Sequence, residues 1–90
     1  MENKIVEISK RLIKEVERQR DLLLEMKPED KYEATVILNY IHELDKQESL
    51  LEIVIEESEN DIEYIMENQN DIKEFFKFVK AYCSNVPKYE

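Results

Sequence analysis

Glycine is absent from this 90-residue chain, and proline occurs only twice. Tight β-hairpin turns rely on glycine for positive φ angles, so a β-sandwich or a β-barrel is excluded. Glycine-rich phosphate-binding loops, whether of the P-loop or the dinucleotide-binding kind, are excluded for the same reason. A chain of this length, with 42% hydrophobic and 39% charged residues, has room for one small domain over residues 1–90.

Cysteine is nearly absent as well, because Cys83 is the only one. A single thiol forms no intramolecular disulfide and no cysteine-rich zinc site, which is typical of proteins in a reducing compartment. We expect it to be a buried apolar residue. Long apolar runs are also missing: none reaches the roughly 20 residues of a membrane span, and the first residues do not form a signal peptide. These absences predict a cytoplasmic protein that does not enter a membrane.

Basic residues are missing from one continuous stretch of the chain. Residues 1–46 hold 9 basic and 11 acidic residues, and residues 73–90 hold 4 basic and 2 acidic ones, whereas residues 47–72 hold 9 acidic residues and no basic one. The formal net charge of -9 therefore comes from that central stretch. Such a charge opposes direct binding to nucleic acid or to anionic lipid, because both carry charge of the same sign.

Apolar residues recur at helical spacing in the first part of the chain and predict a helix from about Glu2 to Met26. Pro28 should end that helix and open the next one, because proline disfavours helical geometry at the residue before it and fits a helical first turn. The stripe is apolar except at Gln19 and consists of Ile5, Ile8, Leu12, Val16, Gln19, Leu23 and Met26.

A stricter seam follows, in which residues recur at alternating steps of three and four and are apolar except at Glu48, Ser58 and Gln69. This heptad pattern is typical either of one long helix in a coiled-coil dimer or of two helices joined by a turn that keeps the phase. A continuous helix would be about 75 Å long, too long for the first helix to cover. The members of the seam are Ala34, Ile37, Ile41, Leu44, Glu48, Leu51, Ile55, Ser58, Ile62, Ile65, Gln69, Ile72, Phe76, Val79 and Cys83.

A break in the seam is therefore predicted at 58–61, with Ser58 or Asn60 capping the new helix, and 68–71 is the second candidate. The predicted fold is all-α, an antiparallel three-helix bundle with helices of about 25, 28 and 24 residues. An elongated helical hairpin or a coiled-coil dimer is the alternative. Apolar residues outside the seam widen the apolar face, so we also expect a homodimer formed through Phe75, Phe76 and Phe78.

A short motif on the second predicted helix, Ile41-His42-Glu43-Leu44-Asp45, lies at a compatible spacing from Arg20 on the first. This arrangement resembles the small helical-hairpin aspartyl-phosphate phosphatases of sporulation control, whose second helix carries a Ser-Gln-Glu-Leu-Asp motif followed, after one residue, by two aliphatic residues. The last three motif positions match, while Ile41 and His42 replace the Ser-Gln pair and polar residues replace the aliphatic ones. The resemblance covers residues 20–46.

The resemblance implies that Asp45 acts on a phosphorylated response regulator, with Glu43 beside it. The residues by themselves predict no intrinsic catalytic activity. His42 is the single histidine and is expected at the surface, so neither a metal constellation nor a serine or cysteine triad can be assembled around it. We expect no metal and no cofactor.

Five glutamates within the acidic stretch recur at steps of three and four residues, and we call them the acidic corner. The predicted second turn gathers them at one end of the bundle, where they would bind a basic surface on another protein. The expected function is that of a regulator or inhibitor, which masks that surface from nucleic acid. The alternatives are the phosphatase above and a purely structural helical oligomer. The corner consists of Glu52, Glu56, Glu59, Glu63 and Glu67.

Overall fold

The structure is a computed structural model and describes residues 3–87. It contains three helices, α1 (Lys4–Glu25), α2 (Lys31–Asn60) and α3 (Ile62–Ser84). Of the described residues 88% are helical, and there is no strand among them. The predicted all-α class and the division into three helices are confirmed.

The first two helices form an antiparallel pair. At one end of the pair, Asn3 before α1 donates a hydrogen bond from Nδ2 to the backbone carbonyl of Ser58 near the end of α2, at 3.3 Å. Farther along, Arg20 of α1 contacts Asp45 of α2 through a 2.8 Å hydrogen bond. The two contacts fix the direction of both helices.

The third helix returns along α2, where the rings of Tyr40 and Tyr82 lie 5.4 Å apart between centroids. Its last turn also reaches α1, since Cys83 shares a cleft with Leu12. The described chain measures 48 × 20 × 17 Å. The 30 residues of α2 alone account for about 45 Å of that length. The second part of the chain is therefore folded into two helices, and residues 3–87 do not contain the continuous helix of about 75 Å that the coiled-coil alternative requires.

The first two helix starts are capped by side chains. Asn3 caps α1, and its Oδ1 accepts a hydrogen bond from the Ile5 amide at 3.0 Å. The predicted start of this helix, Glu2, lies outside the described residues. Asp30 caps α2 and accepts from the Glu33 amide at 2.8 Å. The prediction that Pro28 opens the second helix is wrong, because the Asp30 cap fixes the start at Lys31.

The break between α2 and α3 is at Asp61, which confirms the predicted break within 58–61. The prediction that Ser58 or Asn60 caps the third helix is wrong. Asp61 has an extended backbone, and its Oδ1 accepts hydrogen bonds from the amides of Glu63 and Tyr64 at 3.0 and 3.4 Å. Ser58 is still inside α2 and is buried, and Asn60 is the last residue of that helix. The second candidate break, 68–71, lies within α3.

Replacing Asp61 with Ala should lower the free energy of unfolding by about 0.5–2 kcal/mol, because two amides at the start of α3 lose their acceptor. Chemical denaturation followed by circular dichroism measures the change. The matched control is Asn60→Ala, which removes an exposed amide one residue earlier that donates only to the Glu56 carbonyl of α2, at 2.8 Å, and not to the start of α3. An equal loss in both variants would show that Asp61 has no special role in ending α2.

The core follows a seven-residue repeat within each helix. On α2 the repeat buries Ile37, Leu44 and Leu51, and the core is completed from the other two helices and the residues after α3. The full buried cluster consists of Val16, Leu23, Ile37, Leu44, Leu51, Val79, Cys83 and Val86.

The predicted seam does not stay in the core over its whole length. Ile62 is 73% exposed and Gln69 is also exposed, although both belong to the seam. A straight helix rotates about 20° per heptad relative to a strict seven-residue repeat, so seam members at the start of α3 turn away from the core that Val79 and Cys83 reach. The seam therefore identifies α3 but not the face of its first turns.

Candidate functional site

The acidic corner lies at the end of the bundle where α2 passes into α3. All five of its glutamates are exposed. Asp61 brings them to the same end, because α2 ends one residue before it and α3 begins one residue after it. Three of the five are therefore in the last turns of α2 and two are in the first turns of α3.

The charges of the corner are not ion-paired within residues 3–87. The ion pairs found among residues 3–87 use Glu7, Glu15, Asp45, Glu48 and Glu74, so no corner glutamate takes part in one. Like charges one turn apart on a helix repel by a few tenths of a kcal/mol per pair. The corner is thus a concentration of exposed negative charge without ion pairs among the described residues.

The corner has two sides. Glu52 and Glu56 follow Glu48 at steps of four, and Glu48 contacts Arg20 of α1 at 2.9 Å. Residues four apart lie on the same side of a helix, so Glu52 and Glu56 continue from Glu48 along the junction between α1 and α2. Glu63 and Glu67 lie on α3, beyond the break. A partner that contacts the whole corner must therefore cover the end of the bundle.

An apolar groove opens next to the corner, between α2 and α3, with a volume of about 260 Å³. Several of its lining side chains remain partly exposed, including Leu50 at 40% and Ile53 at 50%. Asn68 and Asp71 supply its polar edge. Its apolar walls are formed by Leu50, Ile53 and Val54 of α2 and by Tyr64, Ile72 and Phe75 of α3.

This groove was not predicted from the sequence. Leu50, Ile53 and Tyr64 lie outside the heptad seam, and the seam alone gives no angle between α2 and α3. The available signal was the surplus of apolar residues beyond the seam, which indicated a second apolar surface without locating it.

The three phenylalanines predicted to form an oligomer interface are placed differently from one another. Phe75 and Phe76 are partly buried and pack against the core. Phe78 is 50% exposed and contacts Tyr82, with ring centroids 5.9 Å apart. Only Phe78 therefore offers a large free apolar surface.

A second polar cluster lies in the middle of the α1–α2 pair. The Nη1 atom of Arg20 donates to Asp45 Oδ1 at 2.8 Å and to Glu48 Oε2 at 2.9 Å. The hydrogen bond that Arg20 donates to Asp45, assisted by the charge of Glu48, raises the pKa of Arg20. Arg20 is thus shared between two carboxylates, one of which is the residue singled out by the phosphatase resemblance.

Glu43, the other residue of that resemblance, is half-buried and lies on α2 on the side of Tyr82. Burial, followed by the negative charge of Glu43, raises the pKa of Tyr82 to about 12. His42, the residue before Glu43, is exposed, as expected. The structure therefore joins Arg20 with Asp45 and does not bring His42 into the same cluster.

Cys83 is buried, 4% exposed, as the sequence predicted. Burial raises the pKa of its thiol to about 11, so the thiolate form that acts as a nucleophile is scarce at neutral pH. No group of three or more metal-ligating side chains occurs in the described part of the chain. On α3, Lys77 pairs locally with Glu74 at 3.4 Å.

None of the helices in residues 3–87 has both the length and the apolar character to cross a lipid bilayer. No protein-family model, curated protein or solved structure matches the chain. Functional inference therefore depends on the surface of the bundle itself.

Proposed function

We propose that this chain is a small regulatory module of the cytoplasm that binds a basic surface on another protein through the acidic corner. The observation that supports this proposal is the placement of five exposed glutamates at one end of the bundle, within a 26-residue stretch that contains no basic residue. Lysine and arginine side chains of a partner would pair with these glutamates and reduce the repulsion between them in the free protein.

Such a module would act by occupying basic residues that otherwise contact phosphates. Proteins bind nucleic acid largely by neutralising phosphate charge with lysine and arginine. An acidic corner that pairs with the same residues excludes nucleic acid from them and functions as an inhibitor. Charge attraction also accelerates the encounter, so association should be fast and should slow as salt increases.

The proposal predicts that neutralising the corner abolishes capture of the partner. The tagged protein is used to isolate its partner from the native host, mass spectrometry identifies the partner, and the fourfold Gln variant of the corner is then tested. We expect at least about a tenfold loss of affinity with the helical signal unchanged, because the charges that attract the partner are gone. The four substitutions are Glu52→Gln, Glu56→Gln, Glu59→Gln and Glu63→Gln.

A matched control changes the net charge by the same amount on another part of the bundle. If the control variant loses the partner to the same extent, overall charge and not the corner attracts it, and the proposal is wrong. The control substitutions are Glu17→Gln, Asp21→Asn, Glu25→Gln and Glu29→Gln.

Self-association remains part of the proposal, because a small bundle with an exposed Phe78 gains stability from a second copy. Light scattering at tens of micromolar should report a dimer mass, and Phe78→Ser should shift the mass toward the monomer. A monomer mass for the unchanged protein would contradict this expectation.

A second candidate function, an aspartyl-phosphate phosphatase, is favoured by the 2.8 Å contact between Arg20 and Asp45. Its test is the rate at which a phosphorylated response regulator loses phosphate in the presence of the protein. The binding-module proposal predicts no acceleration. If the protein accelerates the loss of phosphate, and Asp45→Ala abolishes this activity while His42→Ala keeps it, the protein is a phosphatase and the binding-module proposal is wrong.

A further inference from the structure

We infer that the apolar groove between α2 and α3 is the docking site of an amphipathic helix that carries lysine or arginine beside its apolar face. The inference deepens the proposed function and rests on it, because it assigns a shape to the basic surface that the acidic corner binds. It depends on the form of the groove, on its length and on the charge of its rim.

The groove is apolar where it is open. Leu50 and Ile53 are 40% and 50% exposed, whereas Val54 and Ile72 form a buried floor. An apolar side chain of a partner would cover these exposed aliphatic side chains and contact the buried floor. Binding would release water from the apolar surfaces of the groove and of the partner.

The length of the groove fits a helix. Its wall on α3 extends from Tyr64 to Phe75, which corresponds to about 16 Å, or three helical turns. A helix that lies in a groove of this length inserts side chains at spacings of three, four and seven residues. An extended peptide would instead need an exposed sheet edge, and residues 3–87 contain no strand.

Toward the helix break, acidic residues adjoin the groove on both helices. Asp71 lines it from α3, and Glu67 lies one turn before Asp71. Glu57 lies one turn after Ile53 on α2. Basic residues beside the apolar face of a docked helix would meet these carboxylates. A second copy of this chain fits less well, because it also carries a net charge of -9.

A helical peptide library displayed on phage and selected on the full-length protein tests the inference. Selected peptides should share apolar residues at helical spacing together with lysine or arginine. Fluorescence anisotropy then measures the affinity of one selected peptide for the variants. Leu50→Ser with Ile53→Ser should weaken binding by about tenfold or more, because the apolar walls are removed. Glu57→Gln with Asp71→Asn should weaken binding and reduce its dependence on salt.

The control is Leu24→Ser with Leu38→Ser, which removes two leucines that are 64% and 53% exposed outside the groove. It should leave the affinity unchanged, and the circular dichroism of every variant should match that of the parent protein. Selection of acidic or uncharged peptides, or no selection at all, would overturn the inference. The inference would also be wrong if no peptide binds and the protein is a dimer that Leu50→Ser with Ile53→Ser converts to a monomer. The groove would then be an interface between two copies.

The variants separate this inference from the proposed function, since the groove pairs share no residue with the fourfold corner variant. If the partner from the native host is lost in the corner variant and kept in both groove variants, the groove inference is wrong and the proposed function stands. If that partner is lost in the groove variants and kept in the corner variant, the acidic corner does not bind it and the proposed function is wrong.

Discussion

Leu44→Ala should lower the free energy of unfolding by about 2–5 kcal/mol, because it removes a side chain from the centre of the core and leaves a cavity. Leu44 is 0% exposed and belongs to the buried cluster that all three helices share. Small domains are stable by only about 5–15 kcal/mol, so much of this chain's stability depends on that one side chain. Urea denaturation monitored by circular dichroism measures the loss.

The matched control for Leu44 is Leu38→Ala, on the same helix. Leu38 is 53% exposed, and the substitution should change the free energy of unfolding by less than about 1 kcal/mol. Both substitutions replace leucine with alanine in a helix, so the difference between them reports burial and not helix propensity. Equal effects would contradict the packing of α2 described above.

Gln47→Leu should raise the free energy of unfolding by about 1–3 kcal/mol. Gln47 is 1% exposed, and neither its Oε1 nor its Nε2 has a hydrogen-bond partner within residues 3–87. A buried amide without partners keeps the full cost of leaving water, whereas a leucine of similar size gains from the same burial. Thermal unfolding measures the shift.

The control for this substitution is Gln69→Leu, at an exposed position of α3. It should not stabilise the protein, because Gln69 remains hydrated in the folded chain. A loss of stability in Gln47→Leu would mean that the Gln47 amide has partners in solution, and the core would then contain a polar network that stabilises it. The comparison therefore tests whether this buried amide weakens the bundle.

Helical periodicity and the absence of glycine were sufficient to predict the all-α class, the three helices and the burial of Cys83. The helix boundaries were harder to predict from residue types. Ser58 and Asp61 are both good caps, and the choice depended on Ser58 packing between α2 and α1, where its carbonyl accepts from Asn3. Such a contact between distant residues leaves no local trace in the sequence.

The candidate site divides in the same way. The acidic corner was visible in the sequence because its glutamates recur at helical spacing in a stretch without basic residues. The groove was not visible, since it exists only where Leu50 and Ile53 of α2 meet Tyr64 of α3. Charge is a property of the residues, whereas a groove is a property of the angle and distance between helices.

The affinity of the protein for its captured partner, measured against salt concentration, tests the central claim most directly. Exposed charges are screened over about 8 Å at physiological ionic strength, so binding through the acidic corner must weaken as salt increases. We predict a steep loss of affinity for the unchanged protein and a much flatter dependence for the fourfold Gln variant of the corner. Affinity that does not change with salt, or an equal slope for both proteins, would contradict the claim that the acidic corner is the binding surface.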